Sequence, residues 1–162
     1  MSDDPYILWF RDCDKTCRPQ VGGKNASLGE MTRAGIRVPP GFAITTAAYR
    51  DFLAQSGLES EIMRILDEVR GQEPAALEQA SLTIRRMMGE SPIAANIEEA
   101  IVSAYEKLCA ECGVADLPAA VRSSATAEDL PGASFAGQQD TTLWVRSAWR
   151  VKLRTAICWS SL

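Results

Sequence analysis

Apolar positions recur three and four residues apart through the middle of the chain, at Leu58, Ile62, Ile65, Leu66 and Val69 and again at Leu77, Ala80, Ile84, Met87 and Met88, which predicts two helices in succession. A third follows on Ile97, Ile101, Ala104, Tyr105 and Leu108 and stops at Gly113. Ser91-Pro92 is its expected start, with the serine as cap and the proline where a missing N–H costs nothing. The flanks read differently. Tyr6 to Phe10 is an apolar run of strand length, and Gly22-Gly23 opens a segment in which Leu28, Met31 and Ala34 share a helical face that Gly35 ends. The first unit therefore reads as strand, glycine turn, helix. Val38-Pro39-Pro40-Gly41 cannot continue a helix, so Phe42-Ala43-Ile44 suits a short buried strand, after which Thr45 or Thr46 can cap a helix through Phe52 and Leu53. Ala119 to Arg122 and Thr141 to Val145 read as strands on either side of a polar segment, Ser123 to Asp140, that has no period. The order is α+β with a helix-rich middle, and a loop of that length inside a compact domain is usually functional or mobile.

Composition narrows the class. With 162 residues, 46% hydrophobic and 23% charged, the chain has the size and balance of one soluble domain with a packed core. Met1-Ser2-Asp3-Asp4 lacks the basic start of a secretory signal, and no run of 18 apolar residues occurs, so a cytoplasmic protein without a membrane span is expected. A net charge of −4 argues against nucleic acid as a partner, and the local basic run Arg146, Arg150, Lys152 and Arg154 reads first as a solvated helix face. The five cysteines read as reduced thiols rather than a disulfide framework. Cys13/Cys17 with Cys109/Cys112 would suit a four-thiolate zinc site in type, but more than 90 residues separate the pairs and the chain contains no histidine, so no metal ligand is assigned.

Two loops carry candidate chemistry. In Val21-Gly22-Gly23-Lys24-Asn25-Ala26-Ser27-Leu28-Gly29, paired glycines let backbone N–H groups approach a phosphate, a helix amino end adds partial positive charge, and Lys24 adds a full one. It is not a Walker A loop, because Arg18 stands where the first glycine is needed and Asn25 where Ser or Thr would hold magnesium. The local alternative is a glycine turn packed under a helix with Lys24 in solvent. In the second loop, Arg122 leaves a strand and is followed by Ser123, Ser124 and small residues, which presents a planar donor fork to phosphate oxygens. Its alternative is a surface loop with Arg122 paired to Glu128 or Asp129.

VGGKNASLGEM, then GIRVPPGFAIT, then AVRSSATAEDLPGASFAGQQDT, taken together and in that order, resemble the amino-terminal part of phosphoenolpyruvate synthases and relatives such as rifampin phosphotransferase. They are less similar to pyruvate phosphate dikinase, whose second loop is shorter and methionine-rich. The resemblance covers most of positions 5 to 50 and 119 to 145. It implies that residues 1–162 form an incomplete ATP-binding domain, the first subdomain of an ATP-grasp-like nucleotide site. By the same resemblance Lys24 and Arg122 contact ATP phosphates, Gly137 and Thr141 line the nucleotide cleft, and Ser123, Ser124 and Gln139 are their neighbours. Mg2+ would be held by acidic residues of a second subdomain. In the full-length family, pyruvate, ATP and water become phosphoenolpyruvate, AMP and phosphate, through a histidine on a mobile domain. This chain departs from that pattern: it has no histidine, and the tail Ser147 to Leu162 keeps a family-like Cys158-Trp159-Ser160-Ser161-Leu162 without the acidic residues expected before it. The expectation is a chain that stops inside a helix, as a truncated product or a split subunit working with the remainder of the enzyme would. The alternatives are a non-catalytic remnant or binding module, or the split ATP-binding subunit of a related phosphotransferase with another acceptor.

Overall fold

In a computed structural model that describes residues 4–126 and 141–161, helices surround two small antiparallel pairs of strands. β1 (Ile7–Trp9) pairs with β2 (Phe42–Ile44), Ile7 opposite Ile44 and Trp9 opposite Phe42. Between them α1 (Arg18–Arg33) crosses over. α2 (Thr46–Ser56), α3 (Leu58–Glu68), α4 (Pro74–Glu90) and α5 (Ala95–Cys112) follow. β3 (Ala119–Arg122) pairs with β4 (Thr141–Val145), and α6 (Ala148–Trp159) runs from the end of that hairpin. The α+β class and the helical middle match the sequence pattern.

α5 is the spine because its apolar residues face two ways. Ile97, Ile101 and Tyr105 join Phe52, Met88, Val151 and Trp159 in the larger core, while Ala100, Ala104 and Leu108 meet Ile7 and Trp9 in a second. Alanines at two of these positions let the β1–β2 pair lie close to the helix. Trp159 of α6 reaches across to α2, where its ring lies 5.1 Å from Phe52 and 5.8 Å from Tyr49. Opposite charges tie the parts at the rim: Arg11 and Glu111 pair at 2.7 Å, and Lys152 and Glu98 at 2.7 Å, so the latter lysine of the basic run faces a carboxylate.

Several expectations need correction. α1 starts at Arg18, ahead of the glycines, and two single 3-10 turns separate it from β1, so the first unit is not strand, glycine turn, helix. Its buried face is Val21, Gly22, Ala26 and Gly29 rather than Leu28, Met31 and Ala34, because the segment beneath it is too close for large side chains. Ser91-Pro92 ends α4 instead of opening α5: the Ser91 hydroxyl donates to the Met87 carbonyl at 2.9 Å, and α5 begins at Ala95. Proline without an N–H is as good a stop after a helix as a start before one. Thr45 does stand at the amino end of α2, but its hydroxyl donates to the Pro5 carbonyl at 2.7 Å and so ties the chain start to α2 instead of capping it. Leu66 and Leu77 are exposed at 45% and 49%, so the outer ends of those two helical stripes are not core. α6 closes at Trp159 with Ser160 as its cap.

The β3–β4 hairpin carries the backbone irregularities. Its register shifts between Ala119 and Val121, and Trp144 has φ 59°, the mark of an extra residue on β4. Ser147 follows at φ 74° and ψ 143°, a region glycine alone enters without penalty. It is held there from the core: the Tyr105 hydroxyl donates to the Leu117 carbonyl at 2.8 Å and accepts the Ser147 N–H at 3.1 Å. Glycine at 147 would keep that N–H and remove the strain, worth about 1–3 kcal/mol, against a cost of about 0.4–1 kcal/mol from greater freedom of the unfolded chain. Ser147→Gly is therefore expected to stabilise the chain by about 1 kcal/mol, and an unchanged or lower denaturation midpoint in urea would contradict this.

Candidate functional site

The site is built where α1 breaks. Gly22 has φ 76° and ψ 168°, so the helical path stops there and restarts at Gly23. The restart exposes a fresh helix amino end, with N–H groups that have no preceding carbonyl, and Lys24 lies in its first turn. Asn25 braces the break by donating from Nδ2 to the Val21 carbonyl at 2.8 Å. The segment before α1 is fastened to the helix beyond the break: Lys15 N–H donates to Glu30 at 3.1 Å, and Arg33 pairs with Asp14 at 3.1 Å. Hydrogen bonds from Thr16 hold the Asp14 carboxyl below its ordinary range, which keeps that ion pair charged. A cavity of about 380 Å³ opens beside the same turn, with Lys15, Arg18, Gly23, Ser27 and Glu30 on its walls. Neither Lys15 nor the Arg18 side of this cavity was signalled by the glycine motif.

The second loop meets the first at Gly22. A Cβ placed on Gly22 would lie 2.3 Å from both the carbonyl oxygen and the hydroxyl of Ser124, so these two residues approach as only a glycine allows. Ser123 beside it is buried, and Arg122, the last residue of β3, is exposed. Arg122 lies opposite Thr141 in the β3–β4 register, which brings two more of the expected site residues together. α6 supports the strand from below, where Cys158 Sγ lies 3.8 Å from the Val121 carbonyl. Gly137 and Gln139 lie outside the described residues, as do Glu128 and Asp129, the alternative partners of Arg122. The sequence marks each loop separately but carries no sign of the Gly22–Ser124 approach.

Chemically, this arrangement offers two cations, a helix amino end and close backbone, which fits an anion with several oxygens such as a polyphosphate. Among the described residues no three His, Cys, Asp or Glu side chains gather. The cysteines are distributed among the cores. Cys13 is fully buried under Gly29, and burial pushes its thiol up to about 12, while Cys109 and Cys112 pack against the two cores that α5 joins.

Residues 18–162 match the family described as pyruvate phosphate dikinase, AMP/ATP-binding domain. The chain belongs to that family. The match begins at the first residue of α1 and so takes in both loops. Among curated relatives, the chain is 45% identical to a probable phosphoenolpyruvate synthase of Methanocaldococcus jannaschii over 97% of its own length and 13% of the relative's. It is 46% identical to the phosphoenolpyruvate synthases of Neisseria meningitidis and Aeropyrum pernix, over 92% and 96% of the chain and 19% of each relative. This member of the AMP/ATP-binding family thus spans less than a quarter of the curated relatives it matches. Among its described residues no helix is long and apolar enough to cross a membrane.

Proposed function

We propose that the chain holds the phosphates of ATP, as the first subdomain of an ATP-grasp-like site whose domain is incomplete within residues 1–162. Lys24 and Arg122 neutralise phosphate oxygens, Thr141 and Gly137 line the cleft, and Ser123, Ser124 and Gln139 complete its wall. The observation that carries the reading is the Gly22–Ser124 approach, because it puts two loops that are about a hundred residues apart side by side. In phosphoryl transfer, positioning and charge neutralisation do most of the protein's work, and an amino end with two cations supplies both. Arg122 offers a planar fork to two oxygens at once, whereas Lys24 acts as a point charge.

The activity served is that of a phosphoenolpyruvate synthase, which forms phosphoenolpyruvate, AMP and phosphate from pyruvate, ATP and water in the cytoplasm. Carboxylates for Mg2+ and the phosphorylated histidine would come from the remainder of the enzyme, the partner this reading requires. Half a cleft leaves the nucleotide exposed, so millimolar affinity, equivalent to about 4 kcal/mol, is expected for the isolated chain. Lys24→Ala and Arg122→Ala should each raise the ATP dissociation constant about tenfold, a loss of about 1.4 kcal/mol, without moving the thermal midpoint. Arg122→Lys should restore only part of the loss. Titration followed by amide NMR shifts tests this, and identical affinity in all three variants would return both loops to a packing role.

A further inference from the structure

The geometry points to Ser124 as a positioning residue: seated against the bare Cα of Gly22, it sets the spacing at which Lys24 and Arg122 share one phosphate group. The inference rests on the ATP-site reading above and adds to it the element that fixes the distance between its two cations. Lys24 stands two residues after Gly22, and Arg122 stands two residues before Ser124. Two residues span about 3 Å along a helix and about 7 Å along a strand, so each cation starts within a side chain's length of the contact. Any change at the contact therefore reaches both.

What governs the contact is bulk. The Ser124 hydroxyl is buried and has no hydrogen-bond partner among the described residues, so that hydroxyl does not bond one loop to the other. The limit is instead the missing side chain of Gly22, where a Cβ would come within 2.3 Å of the Ser124 carbonyl oxygen and hydroxyl. The hydroxyl faces Gly22, so the spacing role of Ser124 rests on its bulk, whereas Lys24 and Arg122 act through their charge. Backbone on one side of the contact cannot yield as the tip of a flexible side chain would. The spacing is thus set by side-chain volume at two positions, 22 and 124.

Volume variants test this. In amide NMR titrations of the whole chain with magnesium and ATP, Gly22→Ala and Ser124→Val should each raise the dissociation constant about tenfold. Spectra of the free variants should keep the wild-type pattern away from the two loops. The decisive reading is non-additivity: Lys24→Ala should weaken wild type about tenfold but the Ser124→Val background by less than about twofold, since a displaced lysine no longer shares the phosphate with Arg122. If Gly22→Ala does not fold, Ser124→Val carries the test alone. Wild-type affinity in folded Ser124→Val, or an undiminished effect of Lys24→Ala within it, would overturn the inference and leave the ATP site standing. No effect of Lys24→Ala or Arg122→Ala in the wild-type background would overturn both.

Discussion

Trp159→Ala is expected to destabilise the chain by about 3–5 kcal/mol, the range for removing a large aromatic from a packed core. Trp159 is 6% exposed and packs against both Phe52 and Tyr49, so its ring joins α6 to α2 through apolar surface. A small domain holds only about 5–15 kcal/mol in total, which makes this loss a large share of the whole. Because α6 also backs β3, the strand that ends in Arg122, the variant should lose ATP binding together with stability. Trp149→Ala, at a site 61% exposed on the same helix, supplies the control and should change stability by no more than about 0.5 kcal/mol. Urea denaturation measures both, and equal midpoints for the two tryptophan variants would mean that α6 does not dock through Trp159.

Gly29→Ala sets two effects against each other. In an exposed helix, alanine in place of glycine gains about 1 kcal/mol from backbone entropy. At position 29 a Cβ would lie 2.5 Å from the Cys13 carbonyl oxygen and 2.5 Å from its Cβ, and the first of these is backbone. Overpacking against atoms that cannot rotate away costs about 1–3 kcal/mol, and here the whole segment between the 3-10 turns would have to shift. The clash should win, with a net loss of about 1–2 kcal/mol by denaturation. Gly89→Ala, in α4 where nothing lies within 4 Å of the added Cβ, should show the opposite sign. A stabilised Gly29→Ala would mean that α1 and the Cys13 segment are not in contact at that distance.

These two glycines also show how far the sequence could be read. Apolar periodicity located the three helices between Leu58 and Cys112 because their faces are filled with large residues that recur at helical spacing. The short strands at Phe42–Ile44 and Ala119–Arg122 were legible from the proline and glycine punctuation or the polar loop beside them. α1 was misread because its buried face is made of Ala26, Gly22 and Gly29, residues that carry little hydrophobic signal and owe their burial to closeness rather than size. At Ser91-Pro92 the same dipeptide satisfies a stop and a start, and only the Ser91–Met87 hydrogen bond decides between them. Of the candidate site, Lys24 and Arg122 were visible as cations on suitable loops. The Gly22–Ser124 contact was not, since tertiary approach between two loops leaves no trace in either one's own pattern.

The four tryptophans fall into two optical populations. Trp9 and Trp159 are 4% and 6% exposed, whereas Trp144 and Trp149 are 74% and 61% exposed and flank the turn from β4 into α6. Indole emission from the folded chain is therefore a mixture, in which water already surrounds half of the emitters before unfolding begins. Collisional quenchers such as acrylamide or iodide reach that half in the native state, and iodide would be drawn to it further by Arg146 and Arg150 on either side. The quenchable fraction reports on the hairpin that carries Thr141, and the protected fraction reports on the two cores, so a single fluorescence experiment can follow the site edge and the fold separately.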